Sequence, residues 1–112
     1  MSDVTDKELL ELAAKAAGIS IRIYSGLVVD KGTDCVCVDK FGFKWNPLTD
    51  DGDALRLFVK LRMDVTFNEM DVFAFPADGI EGCSELINVD DPYAATRRAI
   101  VRAAAETGKA MP

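Results

Sequence analysis

Apolar positions change their spacing several times along the chain, and each change predicts an element. Leu9, Leu12, Ala13 and Ala16 recur at the three-and-four spacing of one helical face, with Lys7, Glu11 and Lys15 on another stripe. Thr5 followed by Glu8 is a capping-box pattern, and Gly18 supplies a stop. The prediction is a helix from Asp6 to Ala17 with a solvated polar stripe. From Ile19 the period becomes two: Ile19, Ile21 and Ile23 alternate with Ser20, Arg22 and Tyr24, and Leu27 to Val29 runs into Asp30, Lys31 and Gly32. This predicts a hairpin whose second strand is Thr33 to Asp39, with Cys35 and Cys37 on one face and Val36 and Val38 on the other. Phe41, Phe43 and Trp45 keep the parity of the two cysteines and line the same face if the strand continues to Asn46-Pro47.

Thr49, Asp50 and Asp51 offer N-caps for a second helix, Asp51 to Met63, with Ala54, Leu57, Phe58 and Leu61 inward and Asp53, Arg56 and Lys60 outward. Two short β-prone runs follow, Val65 to Phe67 and Asp71 to Phe75, closed by Pro76. Ala77 to Gly82 is rich in turn residues, and Cys83 to Val89 predicts a further strand. The last helix has Asp91 as N-cap, Pro92 at its first position, an Ala-rich body from Tyr93 to Thr107 and Gly108 beyond its end. Its packing face is Tyr93, Thr96, Ala99, Ile100 and Ala103, and so much alanine implies a close approach to the sheet. Several strands are apolar on both sides, so helices are expected on both faces. The predicted fold is α+β: an α/β/α sandwich of three helices on one four- to five-stranded, mostly antiparallel sheet, in a single domain over residues 1–112.

Composition narrows the functional classes. With 112 residues, 49% hydrophobic and 29% charged, the chain can bury a core without metal or disulfide staples. Thirteen Lys and Arg against nineteen Asp and Glu leave a net charge of −6, a field that opposes binding to phosphate backbones. The N-terminus lacks a signal pattern and the longest uncharged run is the seven residues Ile23 to Val29, so neither export nor a membrane partner is expected. Three cysteines in such a chain are expected as reduced thiols in a cytoplasm.

Candidate chemistry is sparse. The absence of His removes the usual general base and every Ser-His or Cys-His pair. Cys35, Cys37 and Cys83 lack the paired spacing of a structural zinc site and are expected as small buried side chains. Asp50, Asp51 and Asp53, like Asp90 and Asp91, fit helix caps and not a calcium loop, and no Gly-rich phosphate loop is present. No catalytic residue, metal ligand or cofactor is predicted. Arg98, Arg102 and Lys109, with Arg97 beside them, form a basic stripe that Glu106 interrupts, expected as a solvated face. Phe41, Phe43 and Trp45 belong either to the core or to an interface. With Asp78 and Glu81 in the adjoining loop they form the candidate partner-binding surface.

Two segments, WNPLTDDGDALRLFVKL and DPYAATRRAIVRAA, resemble small phage and prophage proteins of the phage ABA sandwich type, and NinX-like phage proteins share the pattern. The resemblance covers about Phe43 to Leu61 and Asp90 to Ala105. It implies an α/β/α sandwich and a phage or prophage origin, but no reaction and no ligand residues. The expected function is therefore a non-enzymatic accessory or regulatory domain that binds another protein in a bacterial cytoplasm, with self-association left open. The alternatives are a small enzyme using a Cys thiolate or paired Asp residues, and a nucleic-acid-associated phage protein.

Overall fold

The Thr5 hydroxyl accepts the Glu8 N–H at 3.1 Å and Gly18 closes the helix in the left-handed conformation (φ 70°), so the first helix, α1, spans Asp6–Ala17 as its capping signals require. The computed structural model describes residues 5–25, 35–39, 41–76, 82–87 and 91–111. After α1 come β1 (Ile21–Ser25), β2 (Cys35–Asp39), α2 (Asp51–Lys60), β3 (Asp64–Phe67), β4 (Asp71–Phe75), β5 (Cys83–Leu86) and α3 (Pro92–Ala110). Asp50 caps α2 by accepting the Asp53 N–H at 2.8 Å, and Asp91 caps α3 by accepting the Ala94 N–H at 3.0 Å. The second helix ends three residues before the predicted Met63, where Arg62 turns the backbone left-handed (φ 53°) and Met63 drops into the core.

The α+β class holds, but the strands do not share one sheet. β1 and β2 form an antiparallel hairpin with Ile21 opposite Asp39 and Ser25 opposite Cys35, its connecting residues lying outside those described. β3, β4 and β5 form a separate antiparallel sheet in that order. What separates the two sheets is the segment after β2. The Asp39 carboxylate accepts the N–H groups of Phe41 (2.9 Å) and Phe43 (3.0 Å), Gly42 adopts φ 86°, and the Phe43 carbonyl accepts the Asp39 N–H. That tight turn destroys the alternation that would have carried β2 through Trp45. Trp45, Pro47 and Leu48 then enter the core, so the chain has left the hairpin before α2 begins.

Three-layer stacking is replaced by a central helix. α3 packs against α1, α2, β4 and β5, and α1 lies on α3 instead of on the three-stranded sheet. The core therefore runs from Leu10 and Ala13 of α1 through Ala99, Val101 and Ala104 of α3 to Val72 and Ala74 of β4. Being covered on two sides, α3 buries more than one stripe: Ala95, Val101, Ala104 and Ala105 join the predicted Ala99, Ile100 and Ala103, while the predicted Tyr93 stays exposed. Gly108 lies inside α3, not beyond its end. A Cβ there would stand 2.1 Å from the Leu12 carbonyl oxygen, so the close approach expected against the sheet is made against α1. On the face of the sheet away from α3, Phe73 and Phe75 stack at 6.2 Å beside an exposed Leu86, and no described helix covers them. No helix among the described residues is long and apolar enough to cross a membrane.

Candidate interaction site

α2 is apolar over a wider arc than its core contact uses. Ala54 and Leu57 are buried, whereas Leu55 and Val59, displaced around the helix, are each 59% exposed. On α3 the row Tyr93, Thr96, Arg97 and Ile100 has the i, i+3, i+4, i+7 spacing of a single face. The alternation of β3 places Val65 and Phe67 on the side of the sheet that bears Val72 and Ala74. These three surfaces enclose an open groove of about 550 Å³. Its walls are Ala54, Leu55 and Phe58 from α2, Val65 and Phe67 from β3, and Tyr93 and Ile100 from α3.

Polar groups touch the groove at one end, and they are already engaged. Arg97 places Nη1 2.6 Å from Asp51 Oδ1 and donates from Nε to the Leu48 carbonyl at 2.8 Å. The Thr96 hydroxyl donates to the Pro92 carbonyl at 2.9 Å. Asp51 itself remains exposed.

The three aromatics expected to share one surface stand in different surroundings. Phe41 and Phe43 project from the turn after β2, each 71% exposed, while Trp45 is buried. Trp45 sits beside Asn46, whose backbone N–H donates to Asp53 Oδ2 at 2.9 Å and whose side-chain oxygen accepts the Leu48 N–H at 3.1 Å. The Trp45-Asn46-Pro47 segment thus locks the entry to α2. Asp78 and Glu81 lie outside the described residues, as does Asp90. The sequence reading missed the groove. The signal that was available is the wide apolar arc of α2, together with a row on α3 that begins at Tyr93.

The basic stripe is not an empty solvated face. Arg97 pairs with Asp51 of α2, Arg98 with Asp6 of α1 at 3.1 Å, Arg102 with Glu85 of β5, and Lys109 with Glu106 at 3.3 Å. Three arginines therefore fasten α3 to three different elements, and each has a carboxylate where a phosphate contact would need a bare cation. Among the cysteines, Cys83 is half-buried opposite Ala74 on the α3 side of the sheet. The side chains of Cys35 and Cys37 lie outside what is described. Among the described residues no three His, Cys, Asp or Glu side chains are grouped to hold a metal ion. No family model, curated protein or solved structure matches the chain.

Proposed function

We propose that the protein is a non-enzymatic accessory domain of phage or prophage type that acts by binding another protein in the bacterial cytoplasm, through the groove between α2, α3 and β3. The observation that carries this reading is the concentration of large apolar side chains around one concavity: Leu55 at 59%, Phe67 at 57% and Tyr93 at 68% exposure. Scattered single apolar residues are ordinary on a protein surface, but a contiguous patch around a groove marks an interaction site. The ion-paired state of the α3 arginines and the net charge of −6 weigh against a nucleic-acid partner. The test is site-specific photocrosslinking in a bacterial host. A photoreactive amino acid at Leu55 or Tyr93 gives one defined adduct, and the same group at Glu11, exposed on α1, does not. Equal labelling at Glu11, or no adduct from either groove position, refutes the proposal.

A further inference from the structure

We infer that the groove receives one amphipathic α-helix of the partner, laid beside α3 over β3, with Lys or Arg residues at the end nearest Asp51. This rests on the protein-binding reading above and names the chemistry of what is bound.

A missing helix is what the geometry of the sheet leaves room for. Strands lie about 4.8 Å apart and a helix is about 10 Å across, so one helix covers roughly two strands. α3 packs on β4 and β5, and among the described residues no helix packs extensively on β3. Val65 and Phe67 therefore face into the groove, with α2 forming its far wall. From Tyr93 to Ile100 the α3 wall runs two turns, about 10 Å at 1.5 Å per residue, which matches side chains at i, i+3 or i+4 and i+7 of a docked helix.

The alternatives fit less well. Small-molecule sites enclose most of their ligand and orient it with convergent polar groups. Here the rim residues are more than half exposed, and the adjoining Arg97, Asp51 and Thr96 are bonded to one another or to backbone carbonyls. A second copy would bring another net charge of −6 to the contact. Charge also selects the partner. Asp50 and Asp51 stand at the start of α2, where Asp51 lines the groove and its side chain stays 72% exposed even while it pairs with Arg97, whose own side chain is 16% exposed. Lys60 and Arg62 stand at the opposite end of α2. A helix with a basic end beside Asp51 complements that gradient.

The test uses the full chain and two fluorescent peptides of about 16 residues, long enough to populate helix in water. Both carry the same Leu and Phe stripe, and one terminal turn holds three Lys in the first and three Glu in the second. The basic peptide is expected to bind at least tenfold more tightly, and the preference should shrink when salt is raised to about 1 M, where charges are screened within about 3 Å. Leu55→Asp and Phe67→Asp should each weaken binding at least tenfold, Asp51→Asn should cut the basic preference severalfold, and Phe43→Asp should change neither. Equal affinity for the two peptides, loss of binding in Phe43→Asp, or a dimer dissociated by Leu55→Asp in sedimentation overturns the inference. If neither peptide binds while the crosslinker at Leu55 still captures its protein, the helix is refuted and the binding site stands. Absence of both removes both.

Discussion

Replacing Gly108 with alanine sets two effects of opposite sign against each other. Inside a helix, alanine is favoured over glycine by about 1 kcal/mol, so propensity alone predicts a more stable protein. Packing predicts the reverse. The new Cβ would lie 2.1 Å from the Leu12 carbonyl oxygen and 2.9 Å from its carbon, where real Cβ contacts essentially never fall below 3.0 Å. The obstacle is backbone, which has no rotamer to change, and α1 is held by the buried Leu9, Leu10 and Ala13. The two helices must part by about 0.9 Å, the difference between 3.0 and 2.1 Å, and a gap of that size forfeits a quarter to a half of each dispersion contact along the seam. Overpacking of this kind costs about 3 kcal/mol at its upper end, leaving a net loss of about 2 kcal/mol. At roughly 4–8 °C per kcal/mol, thermal denaturation followed by circular dichroism should show Tm lower by about 10 °C. Gly52→Ala is the control. Its Cβ would meet the side-chain ends of Asp50 (3.2 Å) and Arg56 (3.3 Å). Arg56 can swing away, and Asp50 need give only a few tenths of an ångström while keeping its bond to the Asp53 N–H, so the same substitution should change stability by no more than about 0.5 kcal/mol. A higher Tm for Gly108→Ala would refute the close α1–α3 packing.

The turn after β2 predicts a contrast between neighbouring aromatics: Trp45→Ala should lose about 3–5 kcal/mol in urea denaturation, whereas Phe43→Ala, on an exposed tip, should stay within about 0.5 kcal/mol of the parent. Asn46→Ala leaves the buried Leu48 N–H without its acceptor and should cost about 1–3 kcal/mol by the same measurement. Asp91→Ala removes the cap of α3 and should cost about 1 kcal/mol, and Asp91→Asn should recover most of it. Leu55→Ser in the groove should leave Tm unchanged within a few degrees, separating loss of binding from loss of fold.

How far the sequence foretold this structure follows from the range of each signal. Caps act within four residues, so Thr5 and Asp91 can be read directly, while Asp50 stands among three adjacent candidates with Thr49 and Asp51; Thr5, Asp50 and Asp91 each cap a helix in the structure. Strand positions were legible from alternation, but alternation does not say which strand is the neighbour, and five strands read as one sheet divide into two. The shared parity of Phe41, Phe43 and Trp45 does not become a strand face, because one carboxylate, Asp39, accepts two backbone N–H groups and reverses the chain. Gly108 reads as a helix stop in isolation. Only the position of α1, set by contacts across most of the chain, reveals that it is an interior residue needed for close packing. The groove is hidden for the same reason: Tyr93 reads as part of the face that packs on the sheet, and only the placement of α3 on β4 and β5 leaves it exposed at the rim.

The seam between α1 and α3 also governs when the molecule can form. Gly108 rests on Leu12, and the Lys15 ammonium donates to the Met111 carbonyl across 96 positions of sequence, so α1 is completed only by α3. Such distant pairings carry a large loop-closure penalty and slow the search for the native state. During synthesis the emerging α1 must keep its apolar side waiting until the ribosome has delivered the closing helix. A nascent chain stalled before Pro92 would therefore expose that side and offer itself to chaperones and proteases, making the docking of α3 the step that commits α1 to its place.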